Sequence, residues 1–317
     1  MSILLIGDFM KISLGYACRC ETLPNITTSS NYTYTNYSRE KDNQKLDAII
    51  VSNLLALEEI LLYNIKNNIH FYRLSSNLIP LATKDDVIFD YTTVYQKYYS
   101  RLASLIEDNH LRVDFHPSEY CVLNSVKEDV VCASIEILKY HYKLLENLKI
   151  KDKVLILHIG SNVFGKKNSL TRFVHNFKKL PEEIQRCIAI ENDDKVFTVE
   201  DALYLSDVLE IPVCLDYHHY LCNKSTIDYE KIINSWNITP KMHFSSPKSK
   251  LKKEFRSHHD YIDSDRFIEF LESIRYLDCD IDIMIEAKKK DEALFRLVRE
   301  LKYKTNYRFI DDTTFII

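Results

Sequence analysis

Val154-Leu155-Ile156-Leu157-His158-Ile159-Gly160 is an apolar run broken only by an imidazole near its end, and Cys187-Ile188-Ala189-Ile190-Glu191 closes in the same way on a carboxylate. Between them, residues 170–179 carry apolar side chains at helical spacing. A short, continuously apolar run is the mark of a strand buried on both faces, as in parallel sheets. Working outward, the same unit recurs. Strand-like runs fall at 11–18, 70–75, 112–116, 154–160, 187–191, 212–217, 241–245 and 280–286. Helix-period segments follow at 45–67, 92–109, 130–148, 170–179, 199–209, 229–236, 265–276 and 291–302. In the first of these, Leu46, Ile49, Ile50, Leu54, Leu57, Ile60 and Leu61 keep the i, i+3, i+4 rhythm of an amphipathic helix. Eight strand–helix alternations predict a parallel sheet, and eight nearly continuous apolar strands fit a closed (β/α)8 TIM barrel of one domain better than an open sheet. Residues 1–9 read as an N-terminal extension and 10–317 as the barrel domain. The Asn/Thr/Tyr-rich residues 25–38 read as a long loop, and 303–317 as a tail packed on the barrel.

The composition narrows the function classes. Of 317 residues, 46% are hydrophobic and 28% charged, enough for a large core. Glycine is scarce: there are 4, where average usage of roughly 7% would give about 22. Gly7, Gly15, Gly160 and Gly165 permit neither GxGxxG nor GxxxxGK[ST], so glycine-rich phosphate cradles are excluded. The net charge of −4 argues against a partner held by bulk positive charge alone. Eight irregularly spaced cysteines, with no CxxC, make neither a disulfide nor a zinc framework. Cys187, Cys214 and Cys279 sit in apolar runs and are expected to pack as small hydrophobes. With no secretory signal and no apolar stretch expected to span a bilayer, the chain reads as cytoplasmic and without a membrane partner.

The strand ends carry the chemistry. In this kind of barrel, catalytic side chains project from the C-terminal ends of strands. Six successive ends present His116, His158, Glu191, Asp216 with His219, His243, and Glu286. A single buried imidazole is ordinarily satisfied by a hydrogen bond, and a single Asp by capping a helix. Six together at one mouth would carry a large desolvation cost unless cations neutralised them. A His/carboxylate set without thiolate suits manganese, zinc, iron or magnesium, and its spread over many strands implies two or three ions. Glu191, on a middle strand, could bridge two of them. Strand alternation turns His218 away from the barrel, while His219, just past the strand, can turn inward. His70, His110, His141 and His175 read as structural or solvated.

These motifs resemble the UV damage endonuclease family over about residues 10–300. The matching segments are Phe71-Tyr72-Arg73-Leu74-Ser75-Ser76, Ile79-Pro80-Leu81-Ala82-Thr83, Phe115-His116-Pro117, Leu123-Asn124-Ser125, Leu157-His158-Ile159-Gly160, Glu191-Asn192-Asp193-Asp194, Asp216-Tyr217-His218-His219 and Lys241-Met242-His243-Phe244-Ser245-Ser246. The resemblance implies a metal-dependent barrel enzyme that nicks damaged double-stranded DNA 5′ to cyclobutane dimers and 6-4 photoproducts. It leaves a 3′-hydroxyl and a 5′-phosphate. It implies metal ligands at His116, His158, Glu191, Asp216, His219, His243, His258 and Glu286, with manganese the first candidate. Glu191, Lys241 and His243 are then the candidate catalytic residues, and Lys241 matches a lysine carboxylated in some members.

Three positions depart from the family. Lys84 stands where a His is usual, Glu119-Tyr120 where Gln precedes an aromatic, and Ser161 where a second Gly follows Gly160. Tyr120 can still wedge into a base stack, whereas Glu119 adds a negative charge facing DNA. Tyr16 is a candidate aromatic lining the mouth. Lys84 and the loop lysines Lys248, Lys250, Lys252 and Lys253, with Arg256 close by, are candidate DNA contacts. Lys166-Lys167 and Lys288-Lys289-Lys290 add charge to loops on the same face. The expected protein is a monomer. The alternatives are an abasic-site endonuclease, a xylose-isomerase-like metal enzyme, which would need neither basic rim nor aromatic wedge, and a non-catalytic lesion binder left by the Lys84 change.

Overall fold

Every apolar run becomes a short strand flanked by helix, in a computed structural model that describes residues 10–84, 86–87 and 89–317. The expected extension at 1–9 lies outside the described residues. The strands are β1 (Lys11–Ala17), β2 (Phe71–Leu74), β3 (Arg112–Phe115), β4 (Leu155–His158), β5 (Ile188–Glu191), β6 (Val213–Asp216), β7 (Lys241–Phe244) and β8 (Ile281–Ile285). They pair in parallel in sequence order, and β8 returns to β1 through Ile12↔Ile281 to Tyr16↔Ile285, closing the single-domain (β/α)8 barrel.

Alternation along each strand sorts side chains into two environments. Ile12, Leu14 and Tyr16 of β1, Ile188 and Ile190 of β5, Met242 and Phe244 of β7, and Ile281, Ile283 and Ile285 of β8 join the main core cluster between barrel and helices. Each such aliphatic side chain contributes roughly 1.5–3 kcal/mol when fully buried. The opposite phase points inward. There Ala17, Phe71 and Met284 touch one another, and Gly15 is required because a Cβ would lie 2.3 Å from the Phe71 carbonyl oxygen. The upper part of this interior phase holds the candidate residues of the strand ends.

Below them the interior is ionic. The Arg112 guanidinium makes two 2.6 Å bonds to Asp282 on β8, a strand not adjacent to its own, so the contact crosses the lumen. The Lys241 ammonium lies 3.6 Å from Asp114 and 3.8 Å from Asp282, over the face of Phe71 at 3.7 Å.

The structure differs from expectation in a few places. Part of residues 25–38 is helical: Tyr34–Glu40 is capped by the Thr33 side chain, which accepts from the Asn36 N–H, and anchored by buried Tyr37. The C-terminal tail forms strands β9 (Arg308–Phe309) and β10 (Thr314–Ile316), and β10 pairs antiparallel with the first half of β1 beneath the short β2. The helix Asn43–Lys66 is long and apolar enough to cross a membrane, against expectation, but Leu46, Ile50, Leu54, Leu57, Ile60 and Leu61 are buried in the core. All eight cysteines are free, with Cys187 and Cys214 buried and Cys279 half-buried. Several turns between a helix and the next strand take left-handed backbone without glycine, at Asn68, His110, Lys149, Glu210 and Asp278.

Candidate metal centre

Glu191 is the hub of the barrel mouth. Its side chain is 1% exposed. Oε2 lies 2.6 Å from His116 Nε2 and 3.6 Å from His158 Nε2. Oε1 lies 2.8 Å from His243 Nδ1 and 3.6 Å from His219 Nδ1. Two imidazoles thus face each oxygen, from β3 and β4 on one side and from β7 and the segment after β6 on the other. Glu286, one residue past β8, lies 3.4 Å from His243 Nδ1 and 4.0 Å from His258 Nδ1.

Asp216 has two duties. Its Oδ1 accepts from the His219 backbone N–H at 2.7 Å, capping the helix Tyr217–Cys222, while Oδ2 faces His219 Nδ1 at 3.6 Å. Asn192 fixes the pair of strand ends: its Nδ2 donates to the Asp216 carbonyl and its Oδ1 accepts from the Asp216 N–H, both at 3.0 Å. The Asn192 carbonyl lies 3.1 Å from His219 Nδ1 and so orients that ring.

Three overlapping groups bring one donor atom from each member within 4.8 Å of the others: His116–Glu191–His243, His158–Glu191–His219 and Asp216–His243–Glu286. Within these three groups, two buried side-chain atoms, Asp216 Oδ2 and His158 Nδ1, have no hydrogen-bond partner among the described residues. Uncommitted lone pairs in a buried site fit a cation, and the nitrogen/oxygen donor set fits a first-row divalent ion or magnesium. The protonation tendencies are split. Burial pushes the Glu191 carboxyl up, but His158, His243 and His116 outweigh it and hold it well below the usual range. Burial lowers His219, yet Asp216, Glu191 and Glu286 carry it up to about 9. For His158 burial prevails, bringing it to about 4.

The remaining candidates fall in different places. His258 borders the centre through Glu286 and belongs to none of the three groups. Strand alternation does not reach His218. The strand ends at Asp216, and the helix buries His218 with its ring 5.5 Å from that of His258. Tyr16 does not line the mouth: it points to the helix layer, where its hydroxyl donates to Asn64 at 2.8 Å. Lys241 sits one layer below the centre, and a carbamate on its Nζ would set a third anion beside Asp114 and Asp282. Lys84 is exposed, with its ammonium 5.5 Å from the Tyr34 ring centre.

Sequence reasoning missed Arg73. Its Nη1 donates to Glu286 at 2.5 Å and its Nη2 lies 2.6 Å from His243 Nε2. The available signal was its phase, since Arg73 alternates with outward Tyr72 and Leu74.

Around the centre, the strand-end loops form a rim. A cavity of about 400 Å³ is lined by Glu119, His158, Ser161, Asp193, Asp194 and His219. Tyr120, 75% exposed, stands beside it on the loop after β3. Lys248, Lys250, Lys252 and Lys253 are exposed on the loop after β7, with Lys248 paired to Glu254 at 3.1 Å. A second cavity, of about 360 Å³, opens at the opposite end of the barrel against Arg112, Lys241 and Asp282. It holds none of the grouped donors.

The model of the family described as UV-endonuclease UvdE matches residues 12–313. A UV DNA damage endonuclease of Bacillus cereus (strain G9842) is 37% identical over 303 residues, covering 92% of this chain and 95% of its own. One from Bacillus mycoides (strain KBAB4) is 34% identical over 316 residues, covering 96% and 99%. Among solved structures, SacUVDE superimposes with a TM-score of 0.83 at 32% identity, covering 92% of this chain and 98% of that one. Endonuclease IV from Thermus thermophilus, at 13% identity and a TM-score of 0.53, shares the fold, with coverage of 92% and 98%.

Proposed function

The chain belongs to the UV-endonuclease UvdE family and is a DNA repair endonuclease; from that premise we propose that it incises damaged double-stranded DNA 5′ to UV photoproducts by metal-dependent hydrolysis. The observation that carries the reading is the pairing of four imidazoles on the two oxygens of one buried carboxylate. A carboxylate flanked in this way is suited to bridge two ions. His116 and His243 would hold one, His158 and His219 a second, and Asp216 with Glu286 would complete a third position. When bound, such ions polarise the phosphate and supply a water of lowered pKa as nucleophile. Manganese is the first candidate.

The protein's own groups do the rest. Glu191 keeps the ligands together and offsets their positive load. Asp216 and Asn192 fix the position of His219. Exposed lysines of the loop after β7 meet the DNA backbone at the same face, so local charge overrides the net −4. Tyr120 stands free to enter the stack where a lesion has already weakened pairing. We assign Lys241 to support of the barrel interior, not to the phosphate. The reading includes a monomer acting in the cytoplasm.

The test is incision of an end-labelled duplex carrying one thymine dimer, with manganese and with chelator. A single cut 5′ to the dimer, leaving a 3′-hydroxyl and abolished by chelator, is expected. Retained lesion binding with no cut in manganese would favour a lesion binder, and cutting at abasic sites alone would move the substrate class.

A further inference from the structure

We propose that Phe164, on the strand-end loop next to that of Tyr120, is a second stacking platform that receives an unstacked base of the DNA. This rests on the reading of the chain as an endonuclease for damaged DNA. Phe164 follows β4 by six residues and is 76% exposed, with half-exposed Val163 beside it. Its backbone is left-handed (φ 63), an uncommon conformation for a bulky side chain.

The loop is nevertheless held firmly. The Ser161 N–H donates to Asn124 Oδ1 at 2.7 Å, and Asn124 Nδ2 donates back to the Ser161 carbonyl at 2.8 Å. Arg172 donates to the carbonyls of Asn124 and Val163, at 2.9 and 2.5 Å. Asn168 Nδ2 donates to the Phe164 carbonyl at 2.8 Å, and the Gly165 N–H to the Asn162 carbonyl at 3.1 Å. A ring presented by a rigid, strained loop to solvent is preorganised for a partner.

The surroundings say which partner. Ser161 of this loop and Glu119 of the neighbouring loop line the same cavity, together with the ligands His158 and His219. Tyr120 and Phe164 therefore sit on adjacent strand-end loops, one residue from Glu119 and three from Ser161 of that lining. Exposed Lys167 follows within three residues, suited to the phosphate that accompanies a base. A flat apolar face beside positive charge is the recurring platform for single-stranded bases.

The experiment uses the full chain with Phe164→Ala, Phe164→Leu and Phe164→Tyr. Tyr303→Ala serves as a control for an equally exposed ring (92%) near the end of the last helix. Binding to a duplex with one thymine dimer is read by anisotropy in chelator. 2-Aminopurine, placed opposite the dimer or beside it, reports unstacking. Phe164→Ala should bind about 5- to 100-fold more weakly and lose the fluorescence rise for one of the two probe positions, which identifies the base received. Phe164→Tyr should restore both, Phe164→Leu should not, and the salt slope should be unchanged because no phosphate contact is removed. Unchanged binding and fluorescence in Phe164→Ala, or full rescue by Leu, overturns the inference. If the wild-type chain itself fails to cut the same duplex in manganese, the underlying reading falls instead.

Discussion

Replacing Lys241 by Met tests how the barrel interior is held together. The Lys241 ammonium is 4% exposed and lies 3.6 Å from Asp114 Oδ2 and 3.8 Å from Asp282 Oδ2. At an effective dielectric of about 20, each attraction is about 4.5 kcal/mol before desolvation is set against it. The two partners would not suffer alike. Asp282 keeps two 2.6 Å bonds from Arg112, whereas Asp114 keeps only Arg73 Nε at 3.9 Å, and neither Asp114 oxygen has a hydrogen-bond partner among the described residues. The loss therefore concentrates on Asp114, a fully buried carboxylate left without its nearest cation. Lys241→Met should lower unfolding free energy by about 3–5 kcal/mol. Adding Asp114→Leu should recover most of that, because the uncompensated charge goes with it. The assay is urea unfolding of both single variants and the double. A loss under about 1 kcal/mol, or strict additivity in the double variant, would refute the argument. Below its melting point, Lys241→Met should still incise in manganese; inactivity matching that of Glu191→Gln would return Lys241 to the reacting centre.

Two further outcomes follow from the same geometry. Glu191→Gln keeps the shape of the hub but removes its charge and one acceptor from between two imidazoles. Manganese affinity, read by calorimetry, should fall at least about 100-fold, the upper end of what outer-shell changes alone produce, and incision should fall with it; near-normal affinity would end the bridging assignment. His141 is buried, with Nδ1 donating to the Ile137 carbonyl at 2.8 Å, and burial lowers it to about 4. Its unfolded value near 6.5 is higher, so the unfolded chain binds the proton first. Stability is complete above about pH 6.5 and is lost as pH falls towards 4, by at most about 3 kcal/mol. His141→Leu should flatten that part of the stability profile, and parallel wild-type and variant curves would refute the assignment.

Much of the barrel is legible because its signal is local. A strand buried on both faces must be apolar along its length, so 155–158, 188–191 and 213–216 announce themselves, and a polar residue in the inward phase at their ends is conspicuous. The same alternation reaches further. Tyr16 shares its phase with Ile12 and Leu14, so its place in the helix layer follows from the rule that put Glu191 inside. His218 escaped because the rule stops one residue earlier: Asp216 accepts from the His219 N–H, the backbone turns helical, and the period changes from 2 to 3.6. The ionic layer was legible in part, since Asp114 and Lys241 precede His116 and His243 by two residues and share their phase. Which cation meets which anion was not, because Arg112 and Asp282 meet across the lumen at a separation of 170 residues. The Tyr34–Glu40 helix has a polar sequence and rests on one cap and one buried ring, so no apolar period reveals it.

The left-handed turns at Asn68, His110, Lys149, Glu210 and Asp278 have an engineering consequence. Each lies between a helix and the strand that follows, hence at the end of the barrel away from the candidate metal ligands. An L-residue in that backbone costs roughly 1–2 kcal/mol relative to the right-handed form, and the added flexibility of glycine in the unfolded chain offsets only part of this. A chain with so few glycines therefore holds a reserve of thermal tolerance at these joints. It can be drawn on one joint at a time, without reshaping the face proposed to meet DNA.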